Sequence, residues 1–221
     1  MRQRKAKDLE ERLMACSSFI VREPSPCKWR EIFGSRKLYV EIGCGKGSFI
    51  IKKALKEPEA GFVGVEGQET VILRALEKAR AEKKRQEEGG CLRSLENLRF
   101  LPVFMDGMEN FFEEESLEGI FLNFSDPWPK TRHEKRRLTH RNRLRDYMRV
   151  LKRGGAIEVK TDNNALFDFT LREGEAAGLE AVRLTRDLHA SGLPAAAITT
   201  EYEEKFMNKG KNINYVKFIR P

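Results

Sequence analysis

Short apolar runs bounded by turn residues alternate along this chain with longer segments of helical period. Residues 37–42, 61–66, 98–105, 120–124 and 156–160 read as buried strands, because their apolar positions are nearly continuous. Residues 48–56, 69–88, 141–151 and 166–177 carry the spacing of helices. Lys152-Arg153-Gly154-Gly155 supplies the basic and glycine residues expected at a helix stop. Two further β-rich segments, 180–184 and 212–219, close the pattern. Strands alternating with helices predict an α/β fold with a mostly parallel sheet and helices on both faces. Residues 1–36 read as a basic, partly helical arm ahead of a single domain over 37–221.

Composition narrows the class. The chain has 221 residues, enough for one substantial core. It is 40% hydrophobic and 34% charged, which indicates a soluble globular protein rather than a disordered one. No apolar run approaches the roughly 20 residues of a membrane span, so a cytoplasmic, membrane-free location is expected. Cys16, Cys27, Cys44 and Cys91 are scattered and are expected as reduced thiols. They form no zinc pattern with His133, His140 and His189, and no metal is expected.

Charge placement changes the picture more. Residues 130–153 hold eleven Lys or Arg against Glu134 and Asp146, a net of +9, while the whole chain carries +8. One segment therefore accounts for the entire excess. Most charge runs are solvated helix faces, but those interleave both signs and this one scarcely does. A polyanion partner is favoured, with nucleic acid the commonest.

Two loops carry candidate chemistry. "VEIGCGKGSF", residues 40–49, joins the first strand to the first helix of the sheet, and Gly43, Gly45 and Gly47 permit a tight turn. The Gly-x-Gly-x-Gly spacing differs from the dinucleotide fingerprint and lacks a P-loop ending. Acids end the strands: Glu41 lies within the motif, Glu66 ends the second strand, Asp106 the third and Asp126 the fourth. Lining one crevice, they would suit ribose, an adenine amino group and positive charge, and would suit pyrophosphate poorly. S-adenosylmethionine fits that description. In "SDPWPKTRHEKRR", residues 125–137, the prolines predict an irregular loop that joins Asp126 to the basic run.

These motifs resemble the bacterial tRNA (guanine-N7-)-methyltransferases, and the likeness runs from the first strand to the C-terminus. It rests on "VEIGCGKGSF", "GVE" (64–66), "FLNFSDPWPKTRHEKRRLTH" (121–140), "VKTDN" (159–163) and "TEYEEKF" (200–206), in that order. The resemblance implies a Rossmann-like S-adenosylmethionine-dependent methyltransferase fold with a seven-stranded sheet, one strand antiparallel near the C-terminal end. It implies methyl transfer from S-adenosylmethionine to N7 of a variable-loop guanine in tRNA; the sequence leaves monomer and homodimer both open. By position, Glu41, Gly43, Gly45, Gly47, Glu66, Asp106 and Asp126 would contact the cofactor, with Asp126 also catalytic. Lys130, Asp162, Thr200, Glu201, Tyr202 and Glu203 would contact substrate. Arg132, His133, Glu134, Lys135, Arg136 and Arg137 would face RNA. Two features depart from the family pattern: residues 83–97 form a longer stretch, and the arm lacks a Pro-Trp pair.

Three alternatives stand beside this expectation. An amino-directed adenine or cytosine methyltransferase would keep the fold, but Trp128 separates Pro127 from Pro129 where such enzymes place adjacent prolines. A nicotinamide-dependent oxidoreductase predicts pyrophosphate-type glycine spacing. A non-catalytic RNA-binding protein on a decayed methyltransferase fold predicts lost acids and glycines. Trp128 itself either stacks on a base or packs.

Overall fold

The computed structural model describes residues 8–90, 94–207 and 209–221; Cys91 and the first seven residues of the expected arm lie outside them. Seven strands form one sheet in the order β3-β2-β1-β4-β5-β7-β6. The chain divides into two compact units, Met1–Asp106 and Gly107–Pro221.

In the first unit, α1 (Leu9–Met14) and α2 (Lys28–Phe33) precede β1 (Leu38–Ile42), α3 (Ser48–Lys56), β2 (Gly61–Val65), α4 (Glu69–Glu88) and β3 (Leu98–Leu101). β1 pairs with β2 and β2 with β3, all parallel. Every residue of β2 is buried, as a strand covered on both faces requires. On α4 the buried residues Ile72, Leu73, Ala75, Leu76 and Ala79 recur at helical spacing; beyond them the helix is a charged arm bearing Lys83–Glu87 and Lys84–Glu88 pairs. Cys16 and Phe19, from the segment read as an arm, belong to the same core as Ile50, Phe62 and Phe100. Ile20 bridges Phe100 in parallel, and Arg12 Nε donates to Glu77 at 2.8 Å.

β3 is shorter than expected. It ends at Leu101 instead of 105, because Pro102 has no N–H to continue the ladder. Asp106 consequently lies in the loop beyond β3 and not at its last residue.

The long stretch ending at 97 returns to the core through Asn97, which is 4% exposed. Its Nδ2 donates to the carbonyls of Ala54, Glu57 and Ala60 at 3.0, 3.1 and 2.9 Å, tying the end of α3 to the start of β2. Asn97→Ala should therefore leave buried carbonyls without a donor and cost about 1–3 kcal/mol. A lower urea midpoint at unchanged m-value checks it.

In the second unit, β4 (Leu117–Asn123), α5 (Arg141–Val150), β5 (Leu151–Thr161), α6 (Asn164–Ala177), β6 (Glu180–Thr185), α7 (Glu201–Met207) and β7 (Asn214–Ile219) follow. β4 and β5 are parallel; β7 runs antiparallel to both β5 and β6. The expected helix stop at 152–155 is instead part of β5. Leu117 pairs with Leu151 and Gly119 with Ala156, so the extra residues bulge out, with Gly154 at φ +75°. Arg220 N and Gly155 O, at 2.9 Å, secure that bulge to the C-terminal strand. The basic loop is also more regular than expected: residues 131–136 form a 3₁₀ helix once the prolines are past.

α5 is anchored to α6 by Arg141, whose Nε and Nη2 donate to the Glu173 carboxylate at 2.9 and 2.7 Å. Those bonds hold the Glu173 carboxyl at about 2, below its usual 4.5. A folded-state value below the unfolded one gives stability that is present above about pH 4.5 and lost as pH falls toward 2. Glu173→Gln should thus flatten the fall of Tm across that window, as thermal unfolding at stepped pH would show.

Candidate functional site: a glycine loop with two carboxylates, and an acidic loop braced beside a basic run

The glycine loop of the first unit leaves β1 through three left-handed backbone positions, Gly43, Gly45 and Gly47 at φ +74°, +55° and +74°. A Cβ on Gly47 would stand 2.8 Å from Ala75 Cβ, so the loop must lie against α4 without a side chain. A Cβ on Gly45 would meet nothing within 4 Å, so that face of the loop is open.

The loop's amides are largely committed. Gly43 and Cys44 N–H donate to Val65 O at 2.8 and 2.9 Å, and Gly47 N–H to Cys44 O at 2.9 Å. Gly45 N–H donates to Glu66 at 3.2 Å, and the other Glu66 oxygen accepts from Gln68 N–H at 2.9 Å. Phosphate-binding loops instead aim such amides at the ligand. Here Glu66 is oriented by backbone donors just after β2, while Glu41 is 2% exposed within β1. Burial pushes the Cys44 thiol well up, and the Glu41 and Glu66 carboxylates add to that effect, which places both near this sulfur. Asp106 is exposed, two residues past Phe104, which is 75% exposed. The Phe104 ring lies over Gly67, where a Cβ would stand 2.4 Å from it. No local sequence signal pointed to this ring.

In the second unit Asp126 lies three residues past the end of β4, exposed. Among the described residues no hydrogen bond or ion pair holds its carboxylate. Phe124 and Trp128 flank it at φ +52° and +39°, costly for residues with side chains. Trp128 is half-buried, with the Arg136 guanidinium 5.0 Å over its ring and His133 edge-on at 5.7 Å. Lys130, Arg132, Lys135 and Arg136 are exposed; His133 and Glu134 are half-buried.

Arg137 is placed differently from its neighbours. Its Nε donates to Pro127 O at 2.9 Å and its Nη2 to Trp128 O at 3.1 Å, while its guanidinium lies 4.2 Å from the Phe169 ring centroid.

The Thr-Glu-Tyr-Glu segment divides by burial. Thr200 Oγ1 accepts from Glu203 N–H at 2.9 Å and Glu203 Oε2 from Thr200 N–H at 3.2 Å, a reciprocal cap on α7. Glu203 is fully buried and accepts from Lys160 Nζ at 3.1 and 3.2 Å. It supports the segment from beneath, while Glu201 and Tyr202 stay exposed. Tyr202 stacks with Phe124 and Phe206 at 6.3 and 6.5 Å, an aromatic group the sequence did not suggest. Asp162 is half-buried, 3.6 Å from Lys211. Among the described residues no His/Cys/Asp/Glu group could hold a metal, and no helix is long and apolar enough to cross a membrane.

The family described as "Putative methyltransferase" matches residues 35–216. A tRNA (guanine-N(7)-)-methyltransferase of Streptococcus pyogenes serotype M6 is 39% identical over 220 residues, covering 98% of this chain and 99% of its own. The 16S rRNA methyltransferase KamB has a similar fold, with TM-score 0.62 at 11% identity, over 91% of this chain and 96% of its own. A 16S rRNA (adenine(1408)-N(1))-methyltransferase from Catenulisporales acidiphilia, solved with cosubstrate SAM, matches with TM-score 0.55 at 16% identity, over 89% and 91%. Full-length similarity at this identity, on a fold shared with solved methyltransferases, makes the chain a member of the tRNA (guanine-N(7)-)-methyltransferase family.

Proposed function

We propose that the protein transfers a methyl group from S-adenosylmethionine to N7 of a variable-loop guanine in tRNA, in the cytoplasm. The observation that carries the cofactor reading is the glycine loop. The amides of Gly43, Cys44, Gly45 and Gly47 are bound within the protein, the loop's open face is at Gly45, and the Glu66 carboxylate takes an amide that a pyrophosphate would need. That pattern disfavours a nicotinamide dinucleotide and suits a ligand with ribose hydroxyls and positive charge. Glu66 would accept from the ribose hydroxyls, and Glu41 and Asp106 would complete the acidic surround. S-adenosylmethionine supplies an electrophilic methyl group.

The second unit supplies what the guanine needs. N7 carries an in-plane lone pair and no proton, and it faces the major groove beside O6, so no base is required before attack. Holding N7 in line for attack supplies much of the acceleration. Positive charge that builds on the purine is stabilised by the Asp126 carboxylate, an electrostatic role. Lys130 donates to O6. Asp162, Thr200, Glu201 and Tyr202 contact the substrate, over the support of Glu203. Arg132, Lys135 and Arg136 hold phosphates. Trp128, already covered by Arg136 and His133, serves to shape the loop.

Mass analysis of nucleosides from tRNA incubated with protein and S-adenosylmethionine should find 7-methylguanosine. Methylated adenosine or cytidine would favour the amino-directed alternative, and no methylated nucleoside would strike the proposal. Glu66→Ala should weaken cofactor binding by about 1–3 kcal/mol in calorimetry, through lost hydrogen bonds and loss of the anchor on Gly45. Asp126→Ala should lower the single-turnover rate on the order of a hundredfold at saturating cofactor and tRNA. Asp126→Asn separates charge from shape: a near-normal rate would leave positioning as the whole role.

A further inference from the structure

We infer that Arg137, although it lies in the basic run, is a positioning residue for the Asp126 loop and not a phosphate contact. The inference rests on the tRNA-methylation reading above and assigns a different task to one member of its basic run. Arg137 Nε and Nη2 donate to the carbonyls of Pro127 and Trp128, the two residues directly after Asp126. A rigid guanidinium fork fits two successive carbonyls, which a lysine ammonium on a flexible stem does not. One face of the guanidinium lies on Phe169, a buried side chain of α6. The charge is thus committed on its edge and on its face. The loop it holds needs holding, because Phe124 and Trp128 sit at positive φ, and such backbone persists only where surrounding contacts over-determine it. Arg132, Lys135 and Arg136 are exposed, whereas Arg137 is half-buried. The run therefore reads as uniform in sequence and divides in structure: exposed cations for the polyanion, one inward arginine for the acid that acts on it.

Three measurements on Arg137→Ala test this, the first beside Arg132→Ala as the phosphate-contact comparison. The salt slope of tRNA binding should stay at the wild-type value for Arg137→Ala and drop by roughly 0.7–0.9 for Arg132→Ala. The single-turnover rate of Arg137→Ala at saturating tRNA and cofactor should fall by about tenfold to a hundredfold, the scale expected when a reacting group is misplaced by about an ångström. Arg137→Lys, which keeps the charge without the fork, should not restore it. Should the alanine variant fold poorly, Phe169→Leu keeps every charge, removes the ring beneath the guanidinium, and should lower the rate in the same direction. A salt slope that drops for Arg137→Ala as far as for Arg132→Ala overturns the inference whatever the rate. In a Trp29→Phe background Trp128 is the one tryptophan, since the sequence has two. Acrylamide quenching of Trp128 should rise when Arg137 is replaced, and unchanged quenching overturns the inference. An inactive wild-type protein would strike the methylation reading alone, because quenching still tests the brace.

Discussion

Lys160 and Glu203 form an ion pair with both side chains essentially inaccessible, and the Thr-Glu-Tyr-Glu segment of the second unit is organised around it. A buried charge left without its partner costs several kcal/mol, so neither residue tolerates separation. Lys160 lies in β5 opposite Asn123 of β4, and its own carbonyl accepts from Phe124 N–H at 2.8 Å, where the Asp126 loop begins. Its Nζ also donates to Ile198 O at 2.9 Å, just ahead of Thr200. His189 Nε2 stands 3.0 Å from the Glu203 carboxylate on the remaining side. One pair thereby ties a sheet strand, the start of the Asp126 loop and the capped turn of α7 into a single arrangement. Exposed Tyr202 and Glu201 inherit their positions from it.

How much of this was legible in the sequence depends on whether the signal was local. The glycine loop was legible because its conformation is set by Gly43, Gly45 and Gly47 themselves, and Glu66 because it follows a wholly apolar strand. α3 and α4 matched their expected spans for the same reason: their apolar spacing is intrinsic. The end of β3 was also present in the sequence, as Pro102, but the apolar residues beyond it outweighed that signal. Lys152 to Gly155 misled because basic residues and glycines serve equally at a helix stop and at a bulge, and only the pairing of Leu117 and Gly119 distinguishes the two. Glu203 carried one usable clue, the Thr-x-x-Glu spacing of a capping box, which predicts an inward-facing acid at a helix start. Lys160 carried none, since a lysine in a strand reveals its partner only after the chain has folded.

The glycine loop shows how the same backbone device can be set for opposite charge. A strand-to-helix turn ordinarily offers amides to an anion. Here β2 accepts two of those amides through Val65 O, and Glu66 accepts a third, which turns the loop's outward character from donor to acceptor. The choice of cofactor is then written less in the glycines, which many folds share, than in what satisfies their N–H groups.

The basic segment raises the converse difficulty, that an exposed carboxylate within so much positive charge should be captured by it. Asp126 escapes because the arginine that braces its loop is satisfied by neutral carbonyls and an aromatic face. Arg136 is likewise drawn over Trp128, and Arg141 is held by Glu173. Carbonyl acceptors do not neutralise a cation, so the segment keeps its attraction for a polyanion at long range while Arg136, Arg137 and Arg141 are fixed in direction. A lysine in place of such an arginine would keep the charge and lose the direction, leaving an ammonium free to reach the carboxylate. The separation of acid from base in this loop is therefore, for Arg136 and Arg137, a matter of geometry: carbonyls and aromatic faces set where each guanidinium points, and neither points at the carboxylate of Asp126.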